Sequence, residues 1–282
     1  MKIAFLGLGR MGAAMASDVR DADHDLVVWN RTPKEFPGAT VADSIATAVR
    51  GADCVVTMLF GPDSVRDVLD EVVANAPAGT LVIDSTTVGP EASRSFAAMA
   101  AKAGLRFVDA PVAGSVEPAR QGTLGVLAGG SDKDYADARP LLELWGDPAK
   151  VQHVGPLGAG SALKLVVNQG TGVAAAGLGE ALALAARLGL ERGQALDVLA
   201  MGAYGWTLQQ KREVLERADF SDAQFTLDLL AKDLGLVLEA SGGDTAGMAV
   251  TSAALSEAER ALEDGHAGQD YAALTGYVAR LD

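Results

Sequence analysis

The chain has 282 residues, of which 49% are hydrophobic, and its formal net charge at pH 7 is −14. This length allows two domains of ordinary size or one large α/β domain with a sizeable core. The negative charge argues against nucleic acid and against an anionic membrane surface as partners, and it requires that any bound anion be held by local positive groups.

The first predicted elements are a strand at Lys2–Leu6 and a helix that follows it almost at once. Between them stands Gly7-Leu8-Gly9-Arg10-Met11-Gly12, a G-x-G-x-x-G pattern in the strand–turn–helix context typical of a dinucleotide site. Gly7 permits the tight turn, Gly9 lets the backbone approach a pyrophosphate, and Gly12 lets the helix pack on the strand. A flexible turn is the alternative, but the position at the N-terminus favours a cofactor site at the positive end of the helix dipole.

The second predicted strand ends at Trp29, where the adenosine ribose of a bound cofactor is expected. An NAD-selective site has Asp or Glu at this point, whereas this chain has Asn30-Arg31-Thr32. A guanidinium binds a 2′-phosphate through two hydrogen bonds, and a carboxylate repels it. The segment therefore favours NADP over NAD, with an ordinary polar turn as the alternative.

The rest of the first half alternates short apolar runs with helical periodicity, which predicts a parallel, doubly wound sheet. The predicted strands are 2–6, 25–29, 53–59, 80–84, 106–110, 123–128 and 149–154, and the predicted helices between them are 63–75, 90–102 and 132–144. Beyond residue 158 the strand signals stop. We therefore expect a Rossmann-type α/β domain over 1–158 and an all-α domain over 159–282.

The all-α domain opens with a predicted helix over 160–190 that is apolar on nearly every side. Such a helix is buried, here against the first domain and a second subunit. Further helices are predicted at 192–201, 206–217, 226–241, 248–263 and 270–280. We expect this domain to contribute to substrate binding and to build a homodimer or homotetramer.

Several absences from the sequence narrow the chemistry. The chain has no metal-ligand spacing and no Y-x-x-x-K pair, and its three histidines are expected to be surface or turn residues. The single cysteine, Cys54, lies in an apolar run and is expected to fill the core, which suits a reducing compartment. With no signal-peptide pattern and no apolar stretch of membrane-spanning length, a cytoplasmic location is expected. A dehydrogenase needs a group that exchanges a proton with the alcohol or carbonyl oxygen as the hydride moves, and lysine is the remaining candidate.

Three later segments carry candidate chemistry. Asp109-Ala110-Pro111-Val112-Ala113-Gly114-Ser115 follows a strand and ends in small residues whose N–H groups suit a carboxylate. Lys164 and Asn168 are four residues apart, which places an ammonium and an amide on one helix face. Lys232-Asp233 lies in a later helix.

With these motifs in this order, the chain resembles the β-hydroxyacid dehydrogenase family over essentially its whole length. The resemblance implies that Lys164 is the catalytic lysine, with Asn168 as its companion, and that Gly114 and Ser115 hold the substrate carboxylate. It also implies cofactor contacts from the glycine fingerprint and the Asn-Arg-Thr segment. Further positions matched to the family's cofactor or active-site residues are Met58, Leu59, Thr87, Lys232 and Asp233.

The segment 109–115, hereafter the substrate loop, departs from the family pattern at Ala113, where a serine is usual. If that hydroxyl binds the substrate carboxylate, its loss costs about 1.5–3 kcal/mol. Ser115 partly compensates, and together with Pro118 and Gln121-Gly122-Thr123-Leu124 it resembles the glyoxylate/succinic semialdehyde reductase branch. Phe225 matches an aromatic residue of the substrate pocket in that branch, although plain core packing explains it equally well.

The expected function is therefore NADPH-dependent reduction of a small aldehyde or keto acid that carries a carboxylate. The alternatives are a 3-hydroxyisobutyrate dehydrogenase, an imine reductase and a non-catalytic NADP-binding module. Imine reductases typically have Asp or Tyr at the position of Lys164, which counts against that alternative. The retention of Lys164, Asn168 and the substrate loop together counts against a non-catalytic module.

Overall fold

The computed structural model describes residues 1–243 and 247–281. It divides into two compact units, Met1–Leu165 and Val166–Asp282. The division falls inside a long helix, seven residues after the boundary expected from the loss of strand signals. The first unit has two hydrophobic cores, and the second unit has one.

The strands described in the first unit form one nine-stranded sheet. Its strands are β1 (Lys2–Leu6), β2 (Asp25–Trp29), β3 (Thr40–Val41), β4 (Cys54–Thr57), β5 (Leu81–Asp84), β6 (Arg106–Asp109), β7 (Val112–Ala113), β8 (Leu124–Gly129) and β9 (Gly146–Gly155). Six strands, in the order β3-β2-β1-β4-β5-β6, are mutually parallel. Their carboxyl ends therefore lie along one edge of the sheet.

The remaining strands depart from the expected all-parallel sheet. β8 runs antiparallel to both β6 and β7, while β9 is parallel to β8. The chain returns from β7 to β8 through a helix of only five residues, Val116–Arg120. This connection is too short for the helical crossover that a parallel pair requires. The two-residue strands β3 and β7 are too short to produce an alternating pattern, so the sequence did not predict them.

Six helices of the first unit cover the sheet. They are α1 (Arg10–Asp21), α2 (Ile45–Val49), α3 (Pro62–Asn75), α4 (Pro90–Lys102), α5 (Val116–Arg120) and α6 (Asp132–Trp145). Successive strand residues point to opposite faces, so Phe5 belongs to the core with α1 and α6, and Leu6 to the core with α3 and α4. Cys54 is buried in the first of these cores, and burial raises the pKa of its thiol to about 12, as expected of a core residue.

The described part of the second unit is helical. The long helix α7 (Ala159–Arg187) begins in the first unit and continues into the second, where it is followed by α8 (Arg192–Ala200), α9 (Gly205–Arg217), α10 (Leu227–Ala240), α11 (Ala249–Glu263) and α12 (Ala273–Ala279). A Cβ on Gly172 would lie 2.8 Å from the Leu234 side chain, and one on Gly179 would lie 2.7 Å from Val278 Cβ. These glycines let α10 and α12 pack closely on α7.

Not every face of α7 is covered within the chain. Ala175 and Leu178 are buried in the helical core, but Val166 and Leu184 are 66% and 56% exposed, and Leu188, just beyond the helix, is 67% exposed. Within the single chain this helix is therefore not buried on nearly all sides, and its expected burial against a second subunit stays a prediction. Over residues 1–243 and 247–281, no helix has the length and hydropathy needed to cross a membrane.

Candidate active site

The glycine loop joins β1 to α1 at the carboxyl end of β1. Gly7 has a φ of +106°, and a Cβ there would lie 2.3 Å from the carbonyl oxygen of Met58. A Cβ on Gly12 would lie 2.1 Å from the carbonyl oxygen of Gly7, so only glycine lets α1 start this close to the turn. Gly9 is the opposite case, because no atom lies within 4 Å of its Cβ position. Backbone atoms thus crowd Gly7 and Gly12, whereas the space beside Gly9 is open, which fits a pyrophosphate approaching the backbone there.

The N-terminus of α1 adds N–H donors to this candidate anion site. The helix begins at Arg10, with Gly9 as its N-cap and no side chain capping it. The N–H groups of Arg10, Met11 and Gly12 therefore face outward without helical acceptors. Donors of this kind bind a phosphate together with the positive end of the helix dipole.

Asn30 ties the end of β2 to the glycine loop. Its Oδ1 accepts a hydrogen bond from the N–H of Leu8 at 2.8 Å, and its Nδ2 donates to the carbonyl oxygen of Thr32, also at 2.8 Å. Both ends of the amide are thus committed, and they fix its orientation. Arg31 and Thr32 follow on an exposed turn.

Lys34 is a residue of this region that sequence reasoning missed. Its Nζ donates to the carbonyl oxygen of Leu8 at 2.9 Å, so an ammonium stands against the glycine loop itself. The available signal was a lysine two residues after Thr32 in a chain that otherwise carries excess negative charge. With Arg31, it places positive charge beyond the carboxyl end of β2.

The loops after β4 and β5 are joined by hydrogen bonds. The N–H of Leu59 donates to Thr86 Oγ1 at 3.0 Å, which holds Met58 and Leu59 against the segment that contains Thr87. These predicted cofactor residues all follow the carboxyl ends of neighbouring parallel strands. Ligands of open α/β sheets bind at this edge.

Asp84, at the end of β5, organises both of these loops. Its Oδ1 accepts hydrogen bonds from Thr57 Oγ1 at 2.8 Å and from the N–H of Thr86 at 3.0 Å. Its Oδ2 is buried and has no hydrogen-bond partner among the described residues. Burial raises the pKa of Asp84 to about 6. The role of this aspartate depends on partners that only the fold brings together.

The raised pKa of Asp84 has a measurable effect on stability. The folded protein holds this proton up to about pH 6, whereas the unfolded chain releases it near the ordinary value of 3.8. Rising pH therefore destabilises the wild type, and Asp84→Asn removes this dependence. Between pH 5 and pH 8, we expect the wild type to lose about 1.4 kcal/mol of unfolding free energy relative to Asp84→Asn. Urea unfolding of both proteins at the two pH values measures the difference, and parallel pH dependences would contradict the assignment.

The substrate loop is fixed by a second left-handed glycine. Gly114 has a φ of +134°, and a Cβ there would lie 2.6 Å from Leu124 Cδ2. Ser115 follows as the half-buried N-cap of α5, and its side chain makes no capping hydrogen bond. Ala113 pairs with Gly125 in the β7–β8 ladder. The loop is therefore held by backbone geometry, which leaves the Ser115 hydroxyl uncommitted to the helix.

Lys164 lies near the start of α7 and is half-buried. The start of this helix is attached to the end of β6 by Asp109, which is fully buried. Asp109 Oδ1 accepts the N–H of Gly158 and its Oδ2 accepts the N–H of Ser161, both at 2.8 Å. Burial raises the pKa of Asp109, and these two hydrogen bonds oppose the shift.

In the helical unit, Asn168 and Asp233 form a buried pair. Asn168 Nδ2 donates to Asp233 Oδ2 at 2.5 Å, and Lys232 Nζ lies 2.7 Å from Asp233 Oδ1. Asp233 is only 1% exposed. Because a carboxylate only accepts, the amide of Asn168 must present Nδ2 to it, which leaves Oδ1 as the free acceptor end. Asp233 thus holds two other predicted site residues, Asn168 by a hydrogen bond and Lys232 by an ion pair.

Phe225 is half-buried before the start of α10. Its ring is tilted against that of Tyr271 with a centroid distance of 5.8 Å, and its carbonyl oxygen accepts the N–H of Tyr271. These contacts fit both interpretations of Phe225, as a wall of the pocket and as part of the core.

The predicted site residues thus form two groups. The first unit contains the glycine loop, Arg31, the loops after β4 and β5, the substrate loop and Lys164, while the second contains Asn168, Phe225, Lys232 and Asp233. Among the described residues, no cluster of His, Cys, Asp or Glu could hold a metal ion. A Rossmann sheet with an open glycine loop defines a dinucleotide-binding protein as the class.

Comparison with known proteins agrees with this class and identifies the family. Residues 2–155 match the family described as the NAD binding domain of 6-phosphogluconate dehydrogenase. Residues 158–278 match the family described as the NAD-binding domain of NADP-dependent 3-hydroxyisobutyrate dehydrogenase.

Individual relatives match over most of their length. An NAD-dependent L-serine dehydrogenase of Pseudomonas aeruginosa is 35% identical over 97% of this chain and 96% of its own. A 3-hydroxyisobutyrate dehydrogenase of the same organism is 37% identical over 84% of each chain. The structure of Mycobacterium tuberculosis 3-hydroxyisobutyrate dehydrogenase with L-serine superposes with a TM-score of 0.83 at 33% identity, covering 97% of both chains. The chain therefore belongs to the β-hydroxyacid dehydrogenase family and is an NAD(P)-dependent dehydrogenase.

Proposed function

We propose that the protein is an NADP(H)-dependent reductase that interconverts a small aldehyde or keto acid and its hydroxy acid, with Lys164 as the proton donor. The observation that carries this proposal is the arrangement at the carboxyl edge of the parallel strands. The glycine loop, Arg31, the Met58–Leu59 loop and the substrate loop all follow strands that end there. Lys164 belongs to the same unit, three residues after a backbone N–H bound by the last residue of β6.

The cofactor preference rests on the turn after β2. Asn30 is committed to the loop itself, so Arg31 and Thr32 are the groups on that turn that remain for a 2′-phosphate. Lys34 adds a positive charge beside Leu8. The position directly after β2 is Asn30, so no carboxylate stands there to repel the phosphate. These features favour NADP, although one of the relatives is named NAD-dependent.

The proton chemistry is assigned to residues of α7. When bound, NADPH supplies the hydride for carbonyl reduction. Lys164, as an ammonium, donates a proton to the carbonyl oxygen of the substrate, and it takes a proton back in the reverse direction. Asn168 contributes its Oδ1, because its Nδ2 is held by Asp233. An acceptor of this kind orients an ammonium or a substrate hydroxyl.

The substrate carboxylate is assigned to the loop after β7. The N–H groups of Gly114 and Ser115, together with the Ser115 hydroxyl, provide donors for an anion. The alanine at 113 removes one further hydroxyl from this loop. We therefore propose a substrate of the glyoxylate or succinic semialdehyde type, as the sequence of the loop favours.

A second substrate class is favoured by the relatives named above, which act on L-serine or 3-hydroxyisobutyrate. Initial rates of NADPH oxidation with glyoxylate, succinic semialdehyde, methylmalonate semialdehyde and a cyclic imine discriminate between the reductions. Rates of NADP+ reduction with L-serine and 3-hydroxyisobutyrate test the second class. We expect the highest kcat/KM with one of the first two aldehydes. Preference for the imine would indicate an imine reductase, and tight NADPH binding without turnover of any compound would indicate a non-catalytic module.

The exposed apolar face of α7 leads to a prediction about assembly. Leu184 and Leu188, with Leu190 and Val198, line an apolar groove of about 640 Å³ in the helical unit. We propose that this unit mediates formation of a homodimer or homotetramer. Sedimentation at low micromolar concentration is expected to give an even oligomer, and Leu188→Glu is expected to shift it towards monomer because a charge does not tolerate burial. A wild-type species of 28.8 kDa alone would contradict the prediction.

A further inference from the structure

We propose that Asp109 is a positioning residue that sets the place of Lys164 relative to the substrate loop. This inference rests on the proposed function, because it takes Lys164 as the proton donor. Asp109 itself is fully buried, and both of its carboxylate oxygens accept backbone N–H groups, so its effect acts through the backbone that it holds.

Both oxygens of the Asp109 carboxylate are used on the start of α7. One accepts from Gly158 and the other from Ser161, each at 2.8 Å. Gly158 directly precedes the helix and Ser161 lies in its first turn, and N–H groups at such positions have no partner within the helix. An asparagine offers only one acceptor oxygen, and its NH₂ would meet the other N–H donor to donor. A carboxylate is therefore the side chain that satisfies both.

The backbone around this contact leaves no room for the helix start to move closer. A Cβ on Gly160 would lie 2.1 Å from the carbonyl oxygen of Leu127, and one on Gly129 would lie 2.5 Å from Asp109 Oδ1. The first turn of α7 thus lies directly on the ends of β6 and β8. With this close packing on one side, the two hydrogen bonds to Asp109 hold the turn in place.

Asp109 also stands where the substrate loop begins. Residues 110–115 follow it directly, and Lys164 lies three residues beyond Ser161, which is about 4.5 Å along the helix axis and on the same face. One side chain therefore connects the loop assigned to the substrate carboxylate with the helix turn that carries the proton donor. A shift of about 1 Å between reacting groups can lower a rate by about 10²-fold.

The test is a double-mutant cycle with Asp109→Asn and Lys164→Met in the full-length protein. Asp109→Asn alone is expected to lower kcat by about 10- to 100-fold, while the Kd for NADPH changes less than about threefold. In the Lys164→Met background, the same substitution should change kcat by less than about threefold, because a residue that acts through Lys164 has nothing left to position. A merely structural role would lower kcat equally in both backgrounds.

Hydrogen exchange supplies a readout that does not depend on activity. Amides of residues 158–165 should exchange faster in Asp109→Asn than in the wild type. Thr80→Val is the matched control, since it removes a buried side-chain hydrogen bond to the carbonyl oxygen of Ala52 at the opposite end of the strands. It should leave both kcat and exchange at 158–165 unchanged.

If Asp109→Asn does not fold, Ser161→Pro removes one of the two N–H donors at a first-turn position that tolerates proline.

An unchanged kcat in Asp109→Asn, or a loss that persists in full in the Lys164→Met background, would overturn the positioning role. If Lys164→Met is inactive while Asp109→Asn is normal, only this inference fails. If Lys164→Met turns over normally, both the proposed function and the positioning role of Asp109 fail.

Discussion

Replacing Lys164 with methionine is expected to lower kcat by at least about 10²-fold, the lower end of the contribution of a general acid. Methionine retains most of the length and apolar character of the lysine side chain but cannot donate a proton. The Kd for NADPH should change little, because cofactor binding is assigned to the glycine loop and the turn after β2 in our proposal. Steady-state kinetics with the preferred aldehyde, together with NADPH fluorescence titration, measure the two quantities.

Lys102→Met is a suitable control for the Lys164 substitution. Lys102 is an exposed lysine in the last turn of α4, so its replacement removes the same charge without altering the proposed site. It should retain wild-type kcat. Near-normal reduction by the Lys164→Met protein would reject the lysine mechanism and leave the fold untouched.

Arg31→Ala is expected to weaken NADPH binding by about 1.5–3 kcal/mol, which is the range for a hydrogen bond to a charged group. The loss should be specific to NADPH, because NADH lacks the 2′-phosphate that the guanidinium would bind through two hydrogen bonds. Binding titrations with both cofactors therefore give a selectivity ratio that falls by about 10- to 150-fold, with the change confined to NADPH.

Arg50→Ala controls for the general effect of removing one positive charge from a chain of net charge −14. Arg50 is exposed and follows α2, away from the predicted cofactor turn. It should alter the affinity for the two cofactors equally and only slightly. Equal losses of NADPH and NADH affinity in Arg31→Ala would reject Arg31 as the selectivity residue.

Much of the fold was predictable because its signals are local. The predicted strand at 2–6 and the predicted helix at 90–102 have the observed boundaries, and the predicted long helix at 160–190 is observed at Ala159–Arg187. Apolar spacing, glycines and prolines act on neighbouring residues and can be recognised without tertiary contacts. The glycine fingerprint belongs to the same group, because its strand–turn–helix context lies within twenty residues.

The antiparallel end of the sheet could not be predicted in this way. The strand at 123–128 was expected from its sequence, but its direction relative to β6 is set by the length of the connection and by pairing with Val112–Ala113. A strand of two residues has no periodicity to recognise. Pairing direction is a property of two segments, and neither carries it alone.

The sequence by itself determined which residues we propose for the chemistry, since Lys164, Arg31 and the substrate loop stand in recognisable local patterns. Only the tertiary structure decided what surrounds them. Asp109 meets Ser161 across 52 residues of sequence, and Asn168 meets Asp233 across 65. Burial and hydrogen bonding over such separations depend on how the whole chain folds, because a buried carboxylate is stable only where the fold brings donors to it.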